Sequence, residues 1–364
     1  MNNFKYNIDL PKQMLEILNT NKDLIIQKYA IETNYSIKDI ELLWTDLQIY
    51  LTHFTEAFEN KQVLWEFEKT MYQSFETNSF FIRKKHGNVL ICMPYNAVIP
   101  LLPIFLISFC VFGNSLILSP SRKTLETSKI ILNVLKDLFD RNQFRIELYE
   151  NGGENAIKQF VLNRKVDLLF FQGSSKNRNE IYYKCINNNV ELIYEGEGNQ
   201  ISIIDSLITL GTINEWLSFC NGRLCTTPKI IFINSILFEN LHTSFENESN
   251  DYDFVLLNEG VDINNNTDKT VYISEYNEIN EVILYIQNNY EYGLQVSVFS
   301  ENPTRIVESL TNELNISRVT VNMHPTFQNS LLPWGGYKKS GYSRVCDFFD
   351  KATKTIIVES KQIN

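Results

Sequence analysis

The chain of 364 residues is poor in cysteine, histidine and glycine, and the few that it has are scattered. Its six cysteines form no Cys-x-x-Cys pair, so the sequence predicts neither a disulfide framework nor a zinc site. Its four histidines show no metal-ligand spacing, so we expect no bound metal. A Gly-x-Gly-x-x-Gly fingerprint is absent as well, which argues against the usual glycine-rich mode of dinucleotide binding.

Positive charge is also short, since 33 Lys and Arg stand against 43 Asp and Glu, a formal net charge of −10. No basic cluster offsets this balance, so we expect neither nucleic acid nor an anionic membrane as a partner. The N-terminal residues Met1–Lys5 carry no secretory apolar segment. We therefore expect a cytoplasmic protein with reduced thiols.

One apolar run, from Val89 to Leu118, is long enough to raise the question of a membrane span. Its helical part extends for only about 16 residues before Gly113-Asn114, which is short for a bilayer crossing. Four residues interrupt the run: Pro94, Asn96, Pro100 and Pro103. A strand, a turn and a fully buried helix fit this stretch better than a transmembrane helix.

Hydrophobic residues make up 44% of the chain, enough for a sizeable core. Residues 9–80 predict helices, with helical spacing through Ile37–Phe58 and Val63–Phe75. Beyond residue 80, short apolar strands alternate with helical patterns, for example the strands at 115–118 and 167–171. This alternation implies an α/β fold with a mostly parallel, doubly wound sheet.

The stretch Cys220–Pro228 holds the candidate nucleophile. Asn221-Gly222 is a strong turn signal, and the apolar run Lys229–Ile233 predicts a buried strand. Cys225 would thus be held rigidly between a bend and a strand while its thiol faces a cleft. A single cysteine is more often a small core residue, which is the role we expect for Cys220.

Two further segments supply polar groups that suit chemistry at a thiol. Glu195 opens the loop Glu195–Gly198, and Asn96 follows Pro94-Tyr95. A thiol, a carboxylate and an amide are the nucleophile, the general base and the oxyanion donor of acyl chemistry. Gly173-Ser174 stands between a predicted strand and a predicted helix, where free backbone N–H groups can accept a phosphate.

The order of the motifs resembles the aldehyde dehydrogenase superfamily from about residue 80 to the C-terminus. The motifs are Pro94-Tyr95-Asn96, Gly113-Asn114, Ser119-Pro120-Ser121, Phe171-Gln172-Gly173-Ser174, Glu195–Gly198, Gly222–Cys225 and Pro333–Gly341. The resemblance implies a doubly wound Rossmann-type cofactor domain, an α/β catalytic domain and a small bridging and oligomerisation region. We expect these at residues 1–198 (with 80–88 as the bridging strand), 199–333 and 334–364. The strand Lys354–Val358 would pair with another subunit, giving a homodimer or homotetramer.

The same resemblance assigns catalytic roles to three residues. Cys225 would attack the aldehyde carbonyl, Asn96 would donate its amide to the developing oxyanion, and Glu195 would activate water. Glu195 and Gly198 match the glutamate and the second glycine of the family's Glu-Leu-Gly-Gly-Lys loop, whereas Glu197 stands where the first glycine is expected. A shift by two residues would make Glu197 the base, and Asn96 could equally be an ordinary turn residue.

The cofactor implied by the resemblance is NAD or NADP. The residues that would bind it are Pro94, Tyr95, Ser119, Arg122, Gly173 and Ser174. Where the family commonly has Lys-Pro-Ser-Glu, Ser119 replaces the lysine and Arg122 replaces the glutamate. An arginine there suits a 2′-phosphate and favours NADP, although Arg122 with Lys123 is equally consistent with a solvated helix start.

The chain departs from the family at two further places. The Glu-x-Phe-Gly-Pro motif, whose Glu binds the nicotinamide ribose in the family, is absent, and Asn266 and Asp268 stand at its positions. This departure bears on cofactor positioning. The N-terminal helical region is also shorter than is usual in the family, so some peripheral packing is missing or replaced.

The leading hypothesis is NAD(P)-dependent oxidation of an aldehyde to a carboxylic acid, through a thiohemiacetal and a thioester on Cys225. A second hypothesis is acyl-CoA (acyl-thioester) reduction, but members with that chemistry generally lack the loop glutamate, so Glu195 counts against it. A third is a degenerate relative that acts as a binding or interaction protein, which the two departures and Ser119 favour. The identity of the aldehyde does not follow from the sequence.

Overall fold

The structure, a computed structural model, describes residues 8–71, 77–247, 252–257, 269–326, 329–342 and 345–361. The helices in these ranges are α1 (Leu10–Thr20), α2 (Lys22–Thr33), α3 (Ile37–Met71), α4 (Val98–Cys110), α5 (Leu125–Arg141), α6 (Gly153–Ala156), α7 (Arg178–Asn187), α8 (Leu210–Ser218), α9 (Ser235–Asn247), α10 (Ile279–Asn289), α11 (Thr304–Glu313) and α12 (Phe348–Lys351). The strands are β1 (Thr77–Lys85), β2 (Asn88–Cys92), β3 (Ser115–Ser119), β4 (Ile146–Leu148), β5 (Leu168–Gln172), β6 (Glu191–Glu195), β7 (Gln200–Ile204), β8 (Pro228–Asn234), β9 (Asp253–Leu256), β10 (Thr270–Tyr276), β11 (Tyr292–Gly293), β12 (Gln295–Phe299), β13 (Arg318–Val321), β14 (Tyr337–Lys338) and β15 (Thr353–Lys361).

Two parallel sheets dominate the described part of the chain. The first has the strand order β4-β3-β2-β5-β6, and the second has the order β13-β12-β7-β8-β10-β9. Every pairing within both sheets is parallel. The predicted α/β fold with doubly wound parallel sheets is therefore confirmed.

Alternate residues of the strands enter different hydrophobic clusters, so each sheet is covered on both faces. In β2, Val89 and Ile91 belong to a large cluster shared with α1–α5, whereas Leu90 packs on the opposite face with α6 and α7. In β8, Ile230 and Ile231 divide between two clusters in the same way. The continuous apolar runs of these strands reflect burial on both sides.

The N-terminal helices are confirmed. The two stretches with helical spacing, Ile37–Phe58 and Val63–Phe75, belong to one helix in the described residues, since α3 runs unbroken from Ile37 to Met71. The intervening Glu59–Gln62 contains no glycine or proline, and Lys61 forms ion pairs with Asp347 and Asp350 on the C-terminal side of the chain. The end of the predicted second helix, at Phe75, lies outside the described residues.

The apolar run after Val89 folds as predicted into β2, α4 and β3. α4 is 13 residues long, and its residues are nearly all buried. Among the helices that the structure describes, none is long and apolar enough to cross a membrane. The run is therefore core sequence of the first sheet.

The C-terminal strand predicted at Lys354–Val358 is part of β15, which pairs antiparallel with β1 of the same chain. A short antiparallel pair, β11 with β14, holds the glycine-rich segment near residue 337. The first parallel sheet ends at Glu195 and the second begins at Gln200, so a four-residue connection joins them. The domain boundaries at residues 198 and 333 stay predictions.

Candidate active site

A cavity of about 710 Å³ lies between the two parallel sheets. Pro94, Gln172 and Glu195, at the carboxyl ends of β2, β5 and β6, line one side of it. Thr227 and Leu294, just before β8 and β12, line the other. The three predicted catalytic residues, Cys225, Glu195 and Asn96, all line this cavity. So do Tyr95, Gly173 and Ser174 of the predicted cofactor set.

The turn before β8 has the tight backbone that Asn221-Gly222 predicts. Cys220 and Asn221 have φ values of 51° and 54°, and Gly222 has a φ of 68°. The backbone N–H of Cys220 donates a 3.1 Å hydrogen bond to a carboxylate oxygen of Asp39, which ties the turn to the start of α3. Cys225 follows three residues after Gly222, on the cavity wall.

The six thiols differ in accessibility. Cys92, Cys110, Cys185 and Cys220 are buried, whereas Cys225 and Cys346 are partly exposed. Burial raises the pKa of Cys92 to about 12 and that of Cys185 to about 12. Burial also raises the pKa of Cys220, as predicted for a structural cysteine. Cys225 is thus the partly exposed thiol that faces the cavity.

Asn96 is part of the same turn region through its side chain. Its Nδ2 donates a 2.8 Å hydrogen bond to the backbone carbonyl of Arg223, two residues before Cys225. This bond fixes the amide beside the candidate nucleophile. The neighbouring Tyr95 is held through its carbonyl, which accepts a 2.8 Å bond from the hydroxyl of Tyr29.

Glu195 ends β6 and is only 5% exposed. Its carboxylate forms a close ion pair with the ammonium of Lys351 and accepts a 2.6 Å hydrogen bond from Nε2 of Gln172. Three residues later, a Cβ on Gly198 would lie 1.9 Å from the carbonyl oxygen of Cys225. Glycine is therefore required at 198, and this contact aligns the Glu195–Gly198 loop with the cysteine turn.

Glu197 makes a different contact. Its Oε2 accepts a 2.6 Å hydrogen bond from the backbone N–H of Ser175, in the turn that leads into α7. The sequence predicts free N–H groups at Gly173-Ser174 for a phosphate. The Glu197 carboxylate occupies the next N–H along the chain, that of Ser175. Phosphate binding at Gly173 and Ser174 stays a prediction.

A second cavity, of about 450 Å³, lies beyond the carboxyl ends of β2 and β3. Ser119 and Arg122 of the predicted cofactor set line it, with Gly152 beside Arg122. The hydroxyl of Ser119 is buried and has no hydrogen-bond partner among the described residues. Arg122 is exposed at a helix start, and its Nη2 donates a 2.8 Å bond to the carbonyl of Asn151. This position is thus compatible with both interpretations of Arg122, a ligand for a 2′-phosphate and a solvated residue at a helix start.

The glycine-rich segment Pro333–Gly341 closes over the glutamate loop. The N–H of Gly196 donates to the carbonyl of Ser340 at 2.9 Å, and Oγ of Ser340 donates to the carbonyl of Glu197 at 2.7 Å. A Cβ on Gly341 would lie 2.5 Å from the carbonyl oxygen of Gly336, so the bend requires glycine. These contacts agree with the prediction that this glycine-rich segment passes close to the site.

Sequence patterns missed three polar neighbours of the site. Gln172 sits inside the recognised Phe-x-Gly-Ser motif, so its position beside Gly173 was the available signal. Lys351 is 156 residues from Glu195, and no local pattern marks it. Asp46 lines the cavity from α3; burial raises the pKa of its carboxyl, and hydrogen bonds from Ser330 oppose that effect.

The structure describes only part of the segment in which the nicotinamide-binding motif is expected. Asn266 and Asp268, where the Glu-x-Phe-Gly-Pro motif is replaced, lie outside the described residues. Lys269 precedes β10, which covers Thr270–Tyr276.

Comparison with known proteins identifies relatives along most of the chain. The family model described as "Aldehyde dehydrogenase family" matches residues 7–254 and 270–355. A 4,4′-diaponeurosporen-aldehyde dehydrogenase of Staphylococcus aureus is 26% identical over 66% of this chain and 49% of its own length. A lactaldehyde dehydrogenase of Methanococcus maripaludis is 23% identical over 96% of this chain and 86% of its own length. The chain spans about half the length, or less, of several other curated relatives it matches.

Solved structures agree on the fold. A substrate-bound Staphylococcus aureus aldehyde dehydrogenase has a TM-score of 0.75 at 19% identity, covering 98% of this chain and 90% of its own. An NAD⁺ complex of betaine aldehyde dehydrogenase from the same species has a TM-score of 0.79 at 15% identity, covering 98% and 83%. At these identities, the likeness shows a shared fold.

Proposed function

The chain belongs to the aldehyde dehydrogenase family, and we propose that it oxidises an aldehyde to a carboxylic acid with a nicotinamide dinucleotide as hydride acceptor. The observation that carries this proposal is the meeting of Cys225, Glu195 and Asn96 around one cavity. They come from three different segments, and they supply a nucleophile, a base and an amide donor. The names of the curated relatives support the same reaction class.

In this proposal, the sulfur of Cys225 forms a bond to the aldehyde carbon, and the carbonyl oxygen gains negative charge. The amide of Asn96 and the N–H of Cys225 stabilise that oxygen. A nicotinamide dinucleotide, when bound, supplies the acceptor for the hydride, which leaves a thioester on Cys225. Water then attacks the thioester carbon while Glu195 takes its proton. The carbon–sulfur bond breaks, and the acid and the Cys225 thiolate are released.

The second cavity fits the adenosine half of the cofactor. The buried hydroxyl of Ser119, which has no hydrogen-bond partner in the described ranges, is suited to a ribose hydroxyl, and Gly152 and Gly153 give a wall without side chains. Pro94 and Tyr95 border both cavities and would lie along the cofactor between them. Gly173 and Ser174 would lie near its phosphates.

We also propose a preference for NADP over NAD. Arg122 lines the second cavity, and one of its terminal nitrogens is engaged with a neutral carbonyl and not with a carboxylate. Its positive charge remains suited to a 2′-phosphate. The ammonium of the neighbouring Lys123 lies 4.4 Å from the centre of the Tyr95 ring, which borders the same cavity.

The lining of the first cavity supports a proposal for the substrate class. Apolar side chains of α3 and α4 and of the cysteine turn line it: Leu42, Leu43, Ile49, Leu101, Phe219 and Leu224. We propose an aldehyde with an extended apolar chain. Each buried methylene would contribute up to about 0.8 kcal/mol to binding, so kcat/KM should rise along a series of straight-chain aldehydes.

One observation favours the alternative of a binding protein without catalysis. Glu197 occupies the Ser175 N–H at the place where a dinucleotide's phosphates would lie. Calorimetric titration with NAD and NADP, followed by rate measurements with straight-chain aldehydes, separates the two functions. Reduced cofactor that forms in wild type and not in Cys225→Ala supports the dehydrogenase. Absence of cofactor binding and of turnover would refute it.

A further inference from the structure

A lysine contacts the proposed general base from behind the active site. The Lys351 ammonium forms an ion pair with Glu195, and the two side chains are 1% and 6% exposed. The ammonium lies 5.7 Å and 5.2 Å from the ring centres of Phe170 and Phe348. Gln172 donates to the other carboxylate oxygen at 2.6 Å. The carboxylate is therefore held in a dry setting by one cation and one amide.

We propose that Lys351 is a positioning residue that keeps Glu195 ionised and oriented for attack of water on the thioester. This inference rests on the proposed aldehyde oxidation. A carboxylate buried without a partner takes up a proton, because low-dielectric surroundings disfavour its charge. A protonated Glu195 cannot take the proton of the attacking water. The Lys351 ammonium offsets that cost.

Lys351 lies outside the cavity in which the reacting groups meet. Glu195 and Gln172 line the first cavity, whereas Lys351 is not among its lining residues. A substrate in the cavity would touch the carboxylate and not the ammonium. Lys351 thus acts through Glu195.

The helix that carries Lys351 is fixed at several points. Asp347 and Asp350 of this short segment pair with Lys61 of α3 at 2.8 Å and 2.6 Å, and Asp350 also pairs with Arg83 of β1 at 3.3 Å. The Lys351 carbonyl lies 3.0 Å from Nε2 of His86. The Lys351 ammonium therefore contacts Glu195 from a backbone that these contacts hold in place.

Other charged groups face the same space. Titratable side chains that line the cavity with Glu195 are Asp46, Tyr95, Glu197, Arg223, Cys225 and Lys229. Glu197 directs its carboxylate to the Ser175 N–H. In the part of the chain that the structure describes, Glu195 forms its ion pair with Lys351.

The test is rapid-mixing kinetics of wild type, Lys351→Met and Lys351→Arg with a straight-chain aldehyde and NAD or NADP. We expect Lys351→Met to keep the first burst of reduced cofactor within about twofold of wild type. Its steady-state rate should fall about 100-fold at pH 7 and recover as pH rises, since deacylation then regains an ionised Glu195. Lys351→Arg should retain most of the wild-type rate. Lys354→Met is the matched control, because it removes the same charge three residues further on, outside the cavity lining.

Equal loss of burst and steady state without a pH shift would overturn the proposal and leave a structural role. Wild-type turnover in Lys351→Met would overturn it as well. If wild type itself forms no reduced cofactor, the proposed oxidation fails, and the positioning role fails with it.

A thermal-unfolding comparison keeps the pair testable if Lys351→Met folds poorly. Glu195→Gln leaves the ammonium of Lys351 unpaired among aromatic rings, so its melting temperature should fall below that of wild type. The double variant Glu195→Gln/Lys351→Met should regain part of the loss. Additive losses would contradict the pairing on which the proposal depends.

Discussion

The two parallel sheets present opposite ends to the same cavity. The first sheet contributes the carboxyl ends of its strands, where Gln172 and Glu195 end β5 and β6. The second contributes the amino ends, where Cys225 lies just before β8. Loops after parallel strands commonly bind ligands, whereas here the candidate nucleophile belongs to a loop that leads into a strand. The site therefore requires both sheets.

The two sides also differ in burial. Glu195 is buried and engaged by two side chains, whereas Cys225 is partly exposed on the cavity wall. A base that waits for the second half-reaction can be held in place by fixed partners. A nucleophile that meets the substrate first has to be accessible. This difference suggests which substitutions should act on acylation and which on deacylation.

The largest loss of activity is expected on substitution of Cys225, on the side of the second sheet. Cys225→Ala should reduce aldehyde oxidation by about 1000-fold or more, because the covalent intermediate cannot form. Cys346→Ala, which removes the other partly exposed thiol, should leave the rate within about twofold. Steady-state rates at saturating cofactor measure both. Comparable loss in the two variants would contradict the assignment.

Alkylation at different pH values compares the reactivity of Cys225 with that of the other cysteines. The pKa values of Cys92 and Cys185, each raised to about 12 by burial, keep these thiols protonated near pH 8. Their labelling should therefore be slow and should increase only as the pH approaches 12. Cys225 should be labelled first, as peptide mapping would show. Preferential labelling of Cys92 or Cys346 at pH 8 would refute Cys225 as the reactive thiol.

On the side of the first sheet, Glu195→Gln should spare the burst of reduced cofactor and lower turnover by about 100-fold, because it removes only thioester hydrolysis. Glu197→Gln is the matched variant two residues away, and it should keep the wild-type deacylation rate. If instead Glu197→Gln alone slows turnover after a normal burst, the base is Glu197. Rapid-mixing absorbance measurements distinguish the two.

Some residues of the site could be predicted from the sequence, and others could not. Cys225, Asn96 and Glu195 could be found because each lies in a short segment with a turn or strand signal, and their order resembled one family. Lys351 could not, since its only relation to Glu195 is a contact across 156 residues. The sequence pattern gave α3 as two separate stretches; Lys61, in the segment between them, forms ion pairs with Asp347 and Asp350, which no local pattern marks.

A smaller effect is expected at the second cavity. Arg122→Ala should weaken NADP binding about tenfold or more and leave NAD binding nearly unchanged, because charge-assisted bonds to a 2′-phosphate contribute about 1.5–3 kcal/mol each. Dissociation constants for both cofactors measure the change. Equal or stronger binding of NAD in wild type would refute the preference. A preference that survives Arg122→Ala would assign it to another residue.

The smallest expected effect concerns Glu197, whose carboxylate occupies the N–H of Ser175. Glu197→Gly should free that N–H and remove a negative charge near the cofactor's phosphates. Affinity for NAD or NADP should rise about threefold to tenfold, the equivalent of one hydrogen bond. Glu291→Gly, which removes another loop carboxylate that pairs with Lys339 outside the cavity lining, is the control. Unchanged affinity in Glu197→Gly would place the phosphates elsewhere.

The central claim is that the cavity between the two sheets forms a thioester on Cys225 during aldehyde oxidation. The most direct measurement is intact-protein and peptide mass spectrometry of Glu195→Gln after rapid mixing with a straight-chain aldehyde and NADP or NAD. We expect one acyl group per chain, attached to Cys225, with one equivalent of reduced cofactor. An unmodified protein, or an acyl group on another cysteine, would contradict the account.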